Sequence, residues 1–130
     1  MTNIAGPVSA EFNTATNQIV VADYDGGTIT VIDVSLDVYG NDAPTFGTTY
    51  TIPVGTNPSS VTVLHDGSRA YSADQADSTV SVVNLSSHTL TKTLSVNGHP
   101  RTVASTQNSL NGKVYVASPD SPYLTILRRP

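Results

Sequence analysis

The chain repeats one strand pattern three times, and this repetition constrains the fold more than any other feature. Pro7, Pro58 and Pro100 each begin one copy of the pattern. In every copy two apolar stretches follow at a separation of nine residues, as between Tyr71 and Val80. The second and third copies begin 42 residues apart, a period typical of four-stranded propeller blades. The repeat therefore predicts the architecture and leaves the ligand open.

Within each copy, β-branched residues alternate with small polar residues, which indicates strands and not helices. We name the strands of each copy a to d in chain order. The strands expected in the first copy are 8–12, 18–22, 28–34 and about 48–54. Those expected in the second are 61–64, 69–73, 79–83 and 89–96, with a hairpin turn at Asp66-Gly67. The third copy supplies 102–105, 113–117 and 123–127 and lacks strand d.

This pattern predicts an all-β fold, a β-propeller of three four-stranded antiparallel blades whose last blade lacks its outer strand. The blades are expected at about 7–57, 58–99 and 100–130 of a single partial domain over 1–130, with 1–6 as the tail of a preceding strand d. Ile4 is expected to pair beside the strand at 124–127, either in the same chain or in a neighbouring one.

Three blades leave the ring open, because propellers typically close with about 4–8 blades. An open stack also leaves one sheet face bare at each end. We therefore expect either a piece of a longer propeller or one part of an assembled ring. Two copies of the chain would supply six blades.

Several short motifs resemble the YVTN-type β-propeller repeat family. They are Asp66-Gly67, Ala70-Tyr71-Ser72-Ala73-Asp74, Val80-Ser81-Val82-Val83-Asn84, Thr30-Val31-Ile32-Asp33 and Ile52-Pro53-Val54-Gly55. The first copy departs from the pattern because Val20 replaces the tyrosine, and the third carries Pro119-Asp120-Ser121-Pro122 between strands b and c. The resemblance implies several blades closed in a ring. It implies no single function, because members of the family serve varied roles.

Composition narrows the classes of partner. Only 12% of the residues are charged, the net charge is −4 and there are six basic residues. Nucleic acid is therefore a disfavoured partner, because phosphate binding needs clustered Lys and Arg. No apolar run is long enough for a membrane span, and the absence of Cys excludes thiol chemistry. Low charge with abundant Ser and Thr is common in exported β-proteins, so we expect an extracellular, periplasmic or cell-surface location.

Loops on one face of the disc form the predicted binding site. Strand direction reverses at every hairpin, so the d–a connections and the b–c loops share that face, where a rigid scaffold can present binding groups. The predicted ligand-binding residues are Tyr24, Asp25, Asn57, Gln75, His99 and Arg101. His99 and Arg101 flank Pro100 at the channel mouth and suit a carboxylate or phosphate. In the alternative interpretation, Arg101 pairs with a nearby Asp and His99 is only solvated.

No metal, cofactor or catalytic residue is predicted. The segment 23–27 has carboxylates at alternate positions, as in a calcium loop, but lacks a third acidic ligand and a closing Glu. A tight turn with glycine at positive φ explains it better. The three His residues have no metal-ligand spacing, and neither a G-x-S-x-G motif nor a phosphate-binding loop is present.

The c–d loop of the first copy is nine residues longer than that of the second, with the extra length at about 36–47. Tyr39 and Phe46 in it could form an interaction patch, but a self-packed Ω-loop is the favoured interpretation.

These observations favour a non-catalytic binding, interaction or surface-display module. Its partners are a protein or small ligand of unknown identity and, for the blades themselves, further blades or a second copy. The alternative is part of a propeller enzyme of the sugar-lactone hydrolase type, which needs acidic and His or Arg groups converging from all blades.

Overall fold

The computed structural model describes residues 6–106 and 113–127, which form three antiparallel sheets. The first sheet consists of β1 (Pro7–Asn13), β2 (Gln18–Asp23), β3 (Thr28–Asp33) and β4 (Thr49–Pro53). The second consists of β5 (Pro58–Val63), β6 (Arg69–Asp74), β7 (Thr79–Asn84) and β8 (Thr89–Ser95). The third consists of β9 (Thr102–Ser105), β10 (Val114–Ala117) and β11 (Thr125–Leu127). The sheets do not close into a ring, so the predicted all-β arc of blades with a three-stranded last member is confirmed.

The strand bounds differ from the prediction by more than one residue in two strands, β5 and β11. Strand β5 begins at Pro58, three residues earlier than expected, because a shift of register between Pro58 and Ser60 keeps the start of the strand paired. Strand β11 begins at Thr125 and pairs with β10 over only three residues. The short 3₁₀ helix Gln75–Asp77 between β6 and β7 was not predicted. The expected pairing of Ile4 lies outside the described residues.

The nine-residue spacing corresponds to one register that recurs in all three blades. The pairs facing each other across strands b and c are Val20 with Val31, Tyr71 with Val82 and Tyr115 with Ile126. Positions that match in the repeat therefore match in space. A difference in burial between them reports what lies beside each blade.

The core consists of two apolar layers, each between neighbouring blades. The layer between the first and second blades contains Val20, Ala22, Ile29, Val31, Ile52, Val61, Val63, Ala70, Val83 and Leu85. The layer between the second and third contains Leu64, Tyr71, Ala73, Val80, Val82, Val103, Val114 and Val116. Burying each of these larger side chains contributes about 1.5–3 kcal/mol, so the stacking of blades stabilises the fold.

Hydrogen bonds between the inner strands reinforce this stacking. Oε2 of Glu11 accepts the N–H of Val63 at 2.9 Å, and Oγ1 of Thr62 accepts the N–H of Ser105 at 3.1 Å. Glu11 and Thr62 occupy the same repeat position, so one device joins the first blade to the second and the second to the third.

The long c–d loop of the first blade is held by its own hydrogen bonds. The Asp37 carboxylate accepts the N–H groups of Tyr39 and Asn41 at 2.9 and 3.0 Å. The Gly47 N–H donates to the carbonyl of Asp33 at 2.7 Å and closes the base. These bonds fix the backbone of the loop, while its apolar side chains stay at the surface: Val38 is 93% and Tyr39 86% exposed. The side-chain packing of the favoured Ω-loop therefore remains a prediction.

Candidate functional site

A concavity of about 490 Å³ lies where b–c loops meet the connections between blades. Its lining residues are Tyr24, Asn57, Gln75, Ala76, His99, Arg101, Pro119 and Asp120. All three blades contribute to it. The wall mixes amide, phenol, imidazole, guanidinium and carboxylate groups and can bind a small polar molecule.

The connection into the second blade positions Asn57 and Gln75. Asn57 has a φ of 56°, and its carbonyl accepts the N–H of Gln75 at 3.0 Å. The Asn57 Nδ2 donates to the carbonyl of Tyr24 at 3.1 Å. Since that amide already joins two blades, Asn57 serves mainly to hold the b–c loop of the first blade against the connection.

The connection into the third blade is fixed differently because a proline intervenes. In the first blade the Tyr24 N–H donates to the carbonyl of Gly6 at 2.8 Å, as Gln75 does to Asn57 in the second. Pro119 occupies the matching loop position in the third blade and has no N–H. The connection is instead bound by the side chain of Asp120.

Asp120 binds His99 with both carboxylate oxygens. Oδ1 accepts the His99 backbone N–H at 2.7 Å, and Oδ2 lies 2.6 Å from the imidazole Nδ1. Both residues are exposed. The side-chain bond from His99, followed by its backbone bond, lowers the pKa of Asp120 below the ordinary value. An ionised carboxylate only accepts hydrogen bonds, so Nδ1 carries the proton and Nε2 is left for other contacts.

The Arg101 backbone is fixed by hydrogen bonds on both sides, which leaves the guanidinium as its variable part. Its N–H donates to the carbonyl of Ala117 at 2.9 Å, and its carbonyl accepts the Ser59 hydroxyl at 2.9 Å. Within residues 6–106 and 113–127, the Arg101 guanidinium forms no ion pair. The concavity therefore contains a cationic group that is available to an anion.

A second concavity, of about 470 Å³, continues from the first along the inner strands. The two share Tyr24, Gln75 and Arg101. The other lining residues are Val8, Ser9, Ser59, Ser60 and Thr102. Arg101 thus stands between the loop-lined mouth and a wall made mostly of hydroxyl groups.

Of the six residues that the sequence predicts for the site, five line the first concavity. The exception is Asp25, which packs against Gly6, where a Cβ would collide with the Asp25 carboxylate. The alternative interpretation paired Arg101 with an Asp and left His99 solvated, whereas the structure pairs His99 with Asp120. Sequence reasoning did not select Asp120. The signal that could have found it is Pro119, which removes a hydrogen bond that the other blades make.

The segment 23–27 is a turn, as expected. The Gly27 N–H donates to the carbonyl of Asp23 at 3.1 Å, and Gly27 has a φ of 63°. The Asp23 carboxylate turns inward and accepts the hydroxyls of Thr28 and Thr30 at 2.8 and 2.7 Å. Among the described residues, no three His, Asp or Glu side chains converge as metal ligands.

Asp74 repeats this inward carboxylate in the second blade. It accepts the hydroxyls of Ser72, Thr79 and Ser81 at 2.8, 3.0 and 2.6 Å. Burial, which penalises the charged form, raises the pKa of Asp74 above the ordinary value. Asp74 directly precedes the b–c loop of the second blade, so this network fixes the base of the loop that carries Gln75.

Solved structures share this fold at low sequence identity. The chain aligns over 98% of its length with hydrazine synthase from Kuenenia stuttgartiensis, with a TM-score of 0.79 and 19% identity. It aligns over 92% with Hsv2 from Kluyveromyces lactis, with a TM-score of 0.71 and 15% identity. It aligns over 91% with a functionally unknown protein from Desulfotomaculum acetoxidans DSM 771, with a TM-score of 0.69 and 17% identity. No protein-family model and no curated protein sequence matches the chain.

These likenesses establish the fold. Hydrazine synthase and Hsv2 are β-propeller proteins, so the three sheets are propeller blades. The alignments span 34%, 36% and 37% of the matched chains, so this chain spans about a third of their length. A shared fold at such identity carries no activity with it. Within the described residues, no helix has the length and apolar character needed to cross a membrane.

Proposed function

We propose that the chain forms consecutive blades of a YVTN-type propeller and acts as a non-catalytic binding module of an exported or cell-surface protein. We further propose that its ligand is a small hydroxylated molecule bearing a carboxylate. The ligand sits in the concavity between the b–c loops and the connections. For any longer protein that contains these blades, we propose the same role: the blades bind the ligand and catalyse no reaction.

The observation that carries this proposal is the guanidinium of Arg101, which forms no ion pair among the residues that the structure describes. Its backbone is hydrogen-bonded on both sides, to Ala117 and to Ser59, so the cation is presented from a rigid base. A guanidinium binds a planar carboxylate through two parallel N–H bonds. The Gln75 side chain and the imidazole of His99 line the same wall and supply further polar contacts.

The small number of carboxylates among the described residues of the concavity favours binding over catalysis. Asp120 stays ionised at neutral pH because its pKa is lowered, so it cannot donate a proton. Both of its oxygens are engaged by His99, so Asp120 orients the imidazole, and a general base here would be Nε2 of His99. The alternative, an enzyme of the sugar-lactone hydrolase type, needs acidic groups converging from several blades. Asp120 is the one carboxylate that lines the concavity in the described part of the chain.

Titration calorimetry with D-glucuronate, D-glucose and inorganic phosphate tests the ligand class. Glucuronate is expected to bind, while glucose, which matches it except for the carboxylate, is expected to give no saturable heat. If only phosphate binds, the ligand is a phosphate and not a carboxylate. If glucose binds as tightly as glucuronate, Arg101 does not recognise the ligand's charge.

Two variants that each remove one positive charge show whether Arg101 is the cation that binds glucuronate. Arg101→Met is expected to weaken glucuronate binding by about 10- to 100-fold, the usual worth of a hydrogen-bonded ion. Lys92→Met removes an exposed charge from strand β8 and should leave the affinity unchanged. Turnover of a sugar lactone with a divalent metal by the wild-type chain would overturn the non-catalytic proposal.

A further inference from the structure

The second concavity is lined by hydroxyl groups that recur at one position of the repeat. Ser9, Ser60 and Thr102 occupy that position in the three blades, and all three line the concavity. Each of them pairs with an alanine on strand b of its own blade. One local geometry therefore brings a hydroxyl residue to the same place in every described blade.

A shift of strand register brings two adjacent serines to this wall. Side chains alternate between the two faces of a regular strand, so Ser59 and Ser60 would otherwise point to opposite faces. The pairing of β5 with β6 shifts between Pro58 and Ser60, and both serines line the concavity. The first blade repeats the shift between Pro7 and Ser9. Because such a shift re-aims side chains, one strand can present two hydroxyls to the concavity.

The hydroxyls of Ser59 and Ser60 leave complementary groups for a ligand. A hydroxyl has one hydrogen to donate and two lone pairs to accept. Oγ of Ser59 donates its hydrogen to the carbonyl of Arg101 at 2.9 Å and keeps its capacity to accept. Oγ of Ser60 accepts the N–H of Val103 at 3.3 Å and keeps its hydrogen. An acceptor beside a donor matches a ligand hydroxyl, which both donates and accepts.

This wall faces the axis of the propeller. Neighbouring blades approach each other most closely at β1, β5 and β9 and much less at the outer strands β4 and β8, as expected for inner strands arranged around an axis. Ser9, Ser59 and Ser60 belong to β1 and β5 and line the arc between the first and third blades. Further blades at either end would therefore extend this wall and not replace it.

The second concavity suits a neutral, hydroxylated part of a ligand. Among the described residues that line it, Arg101 is the one charged residue and Val8 the one aliphatic residue. The two concavities measure about 490 and 470 Å³, and each alone has the volume of a small-molecule site, about 300–1,000 Å³. A single sugar acid bound at Arg101 would leave one of them filled with water.

We propose that the ligand is an oligosaccharide in which a uronic acid is joined to a neutral sugar. The inference rests on the carboxylate binding proposed above. The carboxylate of the uronic acid binds Arg101 in the first concavity, and the neutral sugar lies along the hydroxyls of the second. Tyr24 and Gln75 line both concavities and contact the ligand where the two sugars are joined.

Titration calorimetry of the full chain with cellobiouronic acid, in which D-glucuronate is joined to D-glucose, tests the inference. We expect this acidic disaccharide to bind about 10-fold more tightly than glucuronate, which corresponds to about one or two added hydrogen bonds. Cellobiose, in which a hydroxymethyl group replaces the carboxylate, should bind about 10- to 100-fold more weakly than the acidic disaccharide.

Two serine variants show whether the hydroxyl wall binds the neutral sugar. Ser9→Ala and Ser60→Ala should each lower the ratio of the disaccharide affinity to the glucuronate affinity by about 3- to 10-fold, as expected for one lost hydrogen bond. Ser86→Ala, in an exposed turn between strands c and d on the opposite face, is the matched control and should leave this ratio unchanged.

The outcomes separate this inference from the proposed function. If glucuronate binds and the acidic disaccharide binds no more tightly, the second concavity holds no sugar, so the inference is wrong while the proposed function stands. If neither acid binds, the carboxylate site at Arg101 is wrong, and the inference fails with it. Equal ratios in Ser9→Ala, Ser60→Ala and Ser86→Ala would also overturn the inference.

Discussion

The imidazole Nδ1 of His99 lies 2.6 Å from Oδ2 of Asp120, and the other carboxylate oxygen accepts the His99 backbone N–H at 2.7 Å. The two residues are far apart in sequence and belong to the connection and the b–c loop of one blade. Their contact replaces a backbone hydrogen bond that Pro119 cannot make. It fixes the connection that carries Arg101, the cation of the proposed site.

Removing the His99 ring should raise the pKa of Asp120 toward its ordinary value. The side-chain bond from His99 is the largest cause of the lowered pKa, and its backbone bond is the second, so His99→Ala should reverse the part of the shift that the ring supplies. Because the folded-state pKa is depressed, the contact stabilises the fold above the unfolded-state pKa and is lost as pH falls through the folded value. Carboxyl resonances followed by NMR during acid titration check this. His65→Ala, in an exposed turn, is the control, and an unchanged midpoint in His99→Ala would show that the His99 ring does not lower the pKa of Asp120.

Asp74 should make the protein less stable as pH rises. Burial raises its pKa in the folded state, so stability falls with pH between the unfolded-state pKa and the raised folded value. Asp74→Asn should remove this part of the pH dependence. Asp74→Ala should cost about 1–3 kcal/mol, because the hydroxyls of Ser72 and Ser81 lose their acceptor. Urea unfolding at a series of pH values measures both effects, and an unaltered pH slope in Asp74→Asn would be inconsistent with them.

The fold should become more stable when the Asp23 carboxylate receives a hydroxyl donor, which the first blade lacks. Its Oδ1 is buried and has no hydrogen-bond partner within residues 6–106 and 113–127, whereas Oδ1 of Asp74 accepts the Ser72 hydroxyl. Val21 holds the position of Ser72. Val21→Ser should therefore be more stable than Val21→Ala by about 1 kcal/mol, since a hydrogen bond to a charge outweighs the polarity of the hydroxyl. Thermal unfolding of the two variants decides, and the opposite order would show that Oδ1 needs no donor.

A residue without a side chain should be needed at position 98, because Asp120 lies directly against it. Gly98 has a φ of 74°, and a Cβ there would collide with Oδ1 of Asp120. Gly40 has a φ of 81° with open space around it, so Gly40→Ala adds only backbone strain of about 1–2 kcal/mol. Gly98→Ala should cost more and should weaken glucuronate binding as well. Equal losses of stability, with unchanged affinity, would mean that the close approach has no role in the site.

The repeat made the blades predictable, while local chemistry decided the site. Alternation and the nine-residue spacing placed every described strand, because side-chain direction in a sheet follows directly from sequence position. The pairing of Asp120 with His99 was missed because it depends on a hydrogen bond that Pro119 removes, and this effect appears only when blades are compared in three dimensions. Asp25 was placed in the site because it lies in the correct loop, but its carboxylate packs against Gly6.

The most direct test of the proposed site is an amide chemical-shift map of the wild-type chain during titration with D-glucuronate. We expect saturable shifts at Gln75, His99 and Arg101 in the wild-type chain, and the loss of these shifts in Arg101→Met. Saturable shifts confined to the opposite face, around the loop at Asp37, would place the ligand elsewhere. The absence of any saturable shift would contradict carboxylate binding by this chain.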